Sequence, residues 1–293
     1  GDFTVAFEAF RAGELHYRNE NNSKNWATGY DVPDVKDWRM TLEMPANGSV
    51  QGMQGFIFNT RKNKFKDLKL RQAFNHAYDF EWANNTLFYG QYVRTDSYFD
   101  NSELAATGFP STEELELLTP LKDQLPVSVF TQEYKNPENL DPNALRQNLR
   151  KAKKLLEEAG WNFTNGKLQK NGQILEVEFL LVQPAFERIV APFIRNLEKL
   201  GITANIRTID PTQYQNRVMN YDFDIIVHSF GQSLSPGNEQ RNYWSAENAD
   251  RPGGRNLIGI KNPAIDKLVE HIIFAPDRAA QITATRVLDR VLL

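Results

Sequence analysis

The chain has 293 residues, 41% hydrophobic and 24% charged, enough for one large or two medium globular domains, and its net charge of −3 gives no electrostatic reason to expect nucleic acid or an anionic membrane surface. No apolar run approaches the roughly 18 residues needed to span a bilayer as a helix. The absence of cysteine excludes disulfides and thiolate chemistry.

Residues 2–12 read as a helix carrying Val5, Phe7 and Phe10 and ended by Gly13, followed by a short strand from Leu15 to Arg18. Trp38 to Met44 alternates as a strand does. Gly52 to Asn59 reads as another, with Phe56, Ile57 and Phe58 apolar and Asn59, Thr60 and Arg61 supplying polar groups where the chain emerges. Asp67 is a good N-cap, and Leu70, Ala73, Phe74 and Ala77 recur at helical spacing. Two helices are therefore expected near 68–78 and 79–89, the second stopped by Gly90. Pro110, Pro120, Pro126, Pro137 and Pro142 then leave room only for short helices such as Thr112 to Leu118.

From Asn143 the pattern becomes regular. Leu145, Leu149, Ala152, Leu155, Leu156 and Ala159 mark one face of a helix ending at Gly160, and the bases Arg146, Arg150, Lys151, Lys153 and Lys154 lie outside it as a solvated face. Lys170-Asn-Gly-Gln173 signals a two-residue hairpin, after which Ile174 to Val182 is a strongly apolar strand. A helix from Ala185 to Leu200, capped by Gly201, leads into a strand from Ile202 to Ile209. This is a βαβ unit, whose strands must be parallel. A short helix near 212–220, a strand from Phe223 to Phe230 and two helices near 262–274 and 277–293 complete an α/β chain.

In open α/β sheets ligands sit outside the carboxyl ends of the strands, and Phe223 to Phe230 delivers the chain to such an end. The segment beyond it, Gly231 to Trp244, mixes flexible backbone, amides, an acid, a base and aromatics, the combination that an extended peptide requires. Ser229 at the strand end, with Ser235, Asn238, Glu239, Arg241 and Trp244 in the segment, are the candidate ligand contacts, the segment otherwise being a surface loop with a helix start at Asn238. Gln183 and Tyr214 lie just after and near other strand ends. Asn59 can satisfy either a turn or a peptide main chain. Arg61 and Arg94 can each face a ligand or pair with a buried carboxylate and tie a junction together.

Catalytic constellations are not evident. His16, His76, His228 and His271 are far apart with no i, i+4 pair, so no standard zinc spacing occurs, and His228 reads as a packed strand residue. There is no Gly-x-Ser-x-Gly elbow and no phosphate-cradling loop, and Arg251-Pro-Gly-Gly-Arg255 is a turn with two bases. The acid pairs Glu113-Glu114 and Glu157-Glu158 are adjacent on helices and do not face one another.

Several motifs in order carry a resemblance: the Asn59-Thr-Arg61 strand end, Asp67-x-x-Leu-Arg-Gln-Ala73, Phe80-Glu-Trp-Ala-Asn84, Arg94-Thr-Asp-Ser-Tyr98, Asn101-Ser-Glu-Leu-Ala105, Lys153 to Trp161, Leu200-Gly-Ile202, Ser235-Pro-Gly-Asn-Glu-Gln-Arg241 and Asn256-Leu-Ile-Gly259. Through them the chain resembles the extracellular solute-binding proteins of family 5, in their YejA-like branch, the peptide receptors of ABC importers. The resemblance implies a two-lobed α/β fold of the class II periplasmic binding protein type, with a ligand cleft between the lobes. Members are much longer, and this chain begins at Gly1 without an initiator Met or a signal segment and stops inside a helical pattern. It therefore resembles a portion: 1–54 as part of the first lobe and the hinge crossing, 55–274 as the second lobe, and 275–293 as the start of the return.

The resemblance further implies a non-catalytic, cofactor-free, metal-free monomer in a Gram-negative periplasm, with a peptide or peptide-like ligand, an ABC permease as partner and no nucleic acid. It adds Tyr98, beside Arg94, to the candidate contacts. In the family the loop after the last strand often pairs an acid with the peptide amino terminus. Glu239 stands here rather than an Asp, and Arg241 is then the candidate partner for a carboxylate. The alternatives are the same fold with a sugar, nickel chelate or opine, or a periplasmic hydrolase or chaperone-like factor.

Overall fold

A four-stranded sheet with hydrophobic cores on both of its faces organises the larger part of the chain. The computed structural model describes residues 3–37 and 39–293. Two compact units appear, residues 1–46 with 82–93, and residues 47–81 with 94–293.

The first unit contains α1 (Phe3–Arg11), a π-helical turn at Asn25–Gly29 and α2 (Pro33–Lys36). Its centre is aromatic. Phe7 and Tyr30 are buried and meet edge to face with ring centroids 5.5 Å apart. The Tyr30 hydroxyl donates to Glu20 at 2.8 Å, and Glu20 is paired with Arg18 at 3.0 Å. Burial and this carboxylate push the Tyr30 phenol up to about 12. The expected strand from Leu15 to Arg18 does not form. Of the expected strand from Trp38 to Met44, Trp38 lies outside the described residues and 39–44 has no regular structure.

The second unit begins with β1 (Gln54–Phe58), α3 (Leu68–Ala77) and α4 (Phe80–Leu87), the division between the units falling inside α4. It continues through α5 (Thr112–Leu118), α6 (Ser128–Thr131) and α7 (Ala144–Glu158). A small antiparallel meander comes next, β2 (Asn162–Thr164), β3 (Lys167–Lys170) and β4 (Gln173–Ile174). Asn171 and Gly172 both have positive φ, 53° and 77°, as the tight Asn-Gly turn between β3 and β4 requires. The remaining elements are β5 (Glu176–Leu181), α8 (Glu187–Lys199), β6 (Thr203–Thr208), α9 (Pro211–Met219), β7 (Ile225–Ser229), α10 (Glu239–Trp244), α11 (Pro263–Ile273) and α12 (Arg278–Leu292).

The main sheet has the order β1-β7-β5-β6. β5, β6 and β7 are parallel, with the βαβ unit formed as its sequence dictates, while β1 runs antiparallel against β7. Period-two alternation divides the strand residues between two cores. Phe56, Phe58, Val177, Phe179, Leu181 and Ile225 face α3, α7 and α8, where Phe74, Leu156, Phe193 and Leu197 fill the layer. Ile57, Leu180 and Ile226 face the opposite layer of α10, α11 and α12, with Trp244, Leu268, Val287 and Leu288. Helices on both faces explain why these strands read as continuous apolar runs.

Candidate functional site

Strand direction decides which residues can share a site. The carboxyl ends of β5, β6 and β7 come to one edge of the sheet, and because β1 is antiparallel, its first residue joins them: Gln54 pairs with Ser229, and Leu181 with Thr208. Three loops leave this edge, at 182–186, 209–210 and 230–238. Their entries are fixed by hydrogen bonds. The Ile209 amide donates to Leu181 O at 3.0 Å and the Phe230 amide to Met53 O at 2.9 Å. The Thr208 hydroxyl donates to Glu187 at 2.6 Å, tying the end of β6 to the start of α8, and Asp210 caps α9 by accepting from Thr212 and Gln213 at 3.0 Å each.

Of the residues that the sequence nominates, Gln183, Ser229, Ser235 and Asn238 are exposed on this edge and its longest loop, with Tyr214, Glu239 and Arg241 half-buried nearby. Burial raises the Tyr214 phenol. Glu239 already accepts from the Gly237 amide at 2.7 Å, closing the loop on itself, and the Arg241 guanidinium lies 5.8 Å from the centroid of the Phe274 ring. Trp244 has no exposed surface. Its indole donates to Gln240 at 2.8 Å and packs among Tyr98, Phe230 and Tyr243, so it supports the loop from beneath.

Asn59 and Arg61 lie elsewhere. β1 carries the chain away from the loop edge, so Asn59 emerges beside Asp224, before β7 begins, about 15 Å of strand from Ser229. Asn59 is buried, with its amide donating to the carbonyls of Tyr221 and Phe223 at 2.8 and 3.0 Å. Arg61 donates to the carbonyls of Ala249, Asn256 and Leu257 and to Asn59 Oδ1, and stacks 3.6 Å over the Tyr221 ring. Local sequence puts both on a pocket rim because it carries no sign that β1 is antiparallel. Beside them Asp224 takes Lys62 at 2.8 Å and Lys64 at 2.6 Å. Burial opposes its ionisation, but these lysines and the Glu178 amide outweigh that and hold it below the usual carboxylate range.

Arg94 is likewise engaged internally, donating to Pro137 O at 2.5 Å and Asn75 Oδ1 at 2.6 Å, with the Tyr78 and Phe80 rings 5.8 and 5.9 Å away. Tyr98 is held by its backbone, whose amide donates to Asp289 at 2.7 Å, and burial raises its phenol. His228 is half-buried at the end of β7, its ring 4.9 Å from that of Phe230. Burial, with the charge of Arg255, lowers its pKa.

Two glutamines are not evident from the sequence. Gln240 sits under the loop and donates to Gln232 Oε1 at 2.6 Å while accepting from Trp244. Gln232 Nε2 is buried and makes no hydrogen bond among the described residues. The one local signal is the placement of Gln240 four residues before Trp244, one turn away on the same helix face. Among the described residues no group of three or more His, Asp or Glu side chains could hold a metal, and no helix is long and apolar enough to cross a membrane. The edge therefore offers hydrogen-bonding amides, hydroxyls and main chain around a firm apolar floor.

Comparison with known proteins agrees with this architecture. The family model for bacterial extracellular solute-binding proteins, family 5 Middle, matches residues 1–251. A probable peptide-binding protein YejA of Agrobacterium fabrum is 48% identical over 296 residues, covering 100% of this chain and 48% of that protein. An uncharacterised protein YejA of Escherichia coli is 39% identical over 295 residues, covering 99% and 48%. The oligopeptide-binding protein AppA of Bacillus subtilis, solved in complex with a nonapeptide, superposes with a TM-score of 0.66 at 21% identity, covering 99% of this chain and 50% of that one. The chain thus spans about half the length of the relatives it matches.

Proposed function

The chain belongs to the bacterial extracellular solute-binding proteins of family 5, transport components rather than enzymes, and on that footing we propose that it is the ligand-capturing part of an ABC importer receptor for peptides or peptide-like solutes. The observation that carries this reading is the convergence of Gln54, Gln183, Ser229 and the 230–238 loop on one sheet edge. An extended peptide presents a row of amides and carbonyls, and an edge of exposed amides, hydroxyls and loop main chain answers it without demanding particular side chains.

Ligand contacts on this reading come from Gln183, Tyr214, Ser229, Ser235, Asn238, Glu239 and Arg241. Asn59, Arg61, Arg94, Tyr98 and Trp244 hold the frame. Capture proceeds by closure about a hinge, in which contacts made only in the closed state shift a two-state equilibrium that the permease senses. The protein works in the periplasm as a monomer.

Incubation with a pool of synthetic peptides followed by native mass spectrometry tests the proposal. Intact peptides retained across many sequences are expected. Peptide fragments in the eluate would instead indicate hydrolysis, and no retained mass would count against peptide capture by this chain.

A further inference from the structure

Arg278 is the first residue of α12, where a cation meets the positive end of the helix dipole, so its presence does not serve the helix. Asp277 already caps that end by accepting from the Ala280 amide at 2.9 Å. The side chain of Arg278 reaches outward: it donates to the carbonyl of Leu234, to Glu103, and to Gln281 Oε1 at 2.8 Å. Gln281, one turn further along the same face, donates to the carbonyl of Pro236 at 2.9 Å. Two side chains of α12 thus hold two main-chain carbonyls of the loop that leaves β7.

The partner of Arg278 is itself fixed to α12. Arg286 donates to the Glu103 carbonyl at 2.8 Å, and Asp289 accepts from Ser97, Tyr98 and Ala106 at 2.6, 2.7 and 2.8 Å. Residues 97–106 and 234–236 are therefore gripped by one helix. The loop's other bonds are local: Ser235 amide to Ser233 Oγ at 3.2 Å, Gly237 amide to Glu239 at 2.7 Å, Gln240 Nε2 to Gln232 Oε1 at 2.6 Å, and the Gln240 and Arg241 amides to Gly237 O and Asn238 O at 3.1 and 3.2 Å, and none of these ties residues 234–236 to the sheet.

We propose that Arg278 and Gln281 are positioning residues that set the shape of the 231–238 loop, with Glu103 holding Arg278 in place. Residues 278 and 281 thereby tune ligand capture without touching ligand, a consequence that rests on the proposed function. The geometric part does not.

The test is hydrogen–deuterium exchange of the wild-type chain, the Arg278→Ala/Gln281→Ala double variant, and Glu103→Gln as a milder second variant. Loss of the two tethers should speed exchange of the amides at 233–240 on the order of five- to thirtyfold, while amides of β5 and β7 and the thermal midpoint stay unchanged. Glu103→Gln should give a smaller rise in the same peptide. Unchanged loop exchange in both variants overturns the proposal, as does a uniform rise across the whole second unit, which would mark general destabilisation. In a second arm, a pool of free tripeptides is retained by wild type and lost first from the double variant. If wild type retains none, the proposed function fails while the exchange result still decides the tether. If the loop loosens but retention is unchanged, the effect on capture is refuted.

Discussion

The backbone of Gly52 lies against the Phe230 carbonyl so closely that a Cβ on residue 52 would fall 1.8 Å from that oxygen. The contact sits where the chain enters β1 beside the exit of β7, with the Phe230 amide bonded to Met53 O. It sets how closely the loop edge is laced together, and only a residue without a side chain permits it.

Gly52→Ala should therefore force the entry to β1 away from Phe230, at a cost of about 2 kcal/mol in chemical denaturation. Gly55→Ala is the control, because a Cβ there meets nothing within 4 Å. Equal stability of the two variants would show that the contact is not a constraint.

Asp289 is fully buried, yet it joins α12 to residues 97–106 through three donors. Burial pushes its carboxyl up to about 6 against those bonds and the nearby Arg290. Between the usual value of 3.8 and about 6 the folded chain holds a proton that the unfolded chain releases, so this group adds stability as pH falls through that window, and the contribution is lost as pH rises past about 6. Asp289→Asn turns an amide NH2 toward one of the donors and should cost about 1–3 kcal/mol at pH 7. It should also remove this group's share of the pH slope between about 4 and 6, measured by denaturation across that range. A variant with wild-type stability and slope would refute the account.

The sequence made some of this legible and hid the rest for identifiable reasons. The βαβ unit and the α12 pattern declare themselves because helical and strand periodicities are local, and Asn171-Gly172 specifies its own turn. The direction of β1 is not local. Nothing between Gly52 and Arg61 says whether its far end meets the amino or the carboxyl end of β7, and so Asn59 and Arg61 read as rim residues when they lie at the opposite edge from Ser229. Trp244 is ambiguous for a related reason, since an aromatic in a polar loop looks exposed until the short helix that carries it is packed on Phe230. Leu15 to Arg18 has the alternation of a strand but pairs with no strand among the described residues, and pairing is what makes a strand.

Arg61 spreads its donors over three carbonyls and an amide oxygen while lying flat on Tyr221, a planar arrangement that an ammonium group cannot reproduce. Arg61→Lys should lower stability by about 2 kcal/mol through the carbonyls left unpaired. Peptide retention per folded molecule should be unchanged, because the residue lies at the far end of β1. Loss of retention at full stability would place Arg61 in contact with ligand after all.

Ser229 is the exposed terminal residue of β7, opposite Gln54, and its side chain makes no hydrogen bond among the described residues. If a peptide runs along this edge, a large group at 229 occupies its path. Ser229→Phe should leave the thermal midpoint within a degree or two, since exposed substitutions away from caps and cores are usually within about 0.5 kcal/mol. It should cut peptide retention by about tenfold or more, corresponding to roughly 1.4 kcal/mol. Gln183→Ala, on the neighbouring strand end, should give a smaller loss by removing one amide partner at an exposed position. Both variants are read by native mass spectrometry against the same peptide pool. If Ser229→Phe retains peptide as wild type does, the ligand does not pass over this edge and the site must be sought on another surface of the chain.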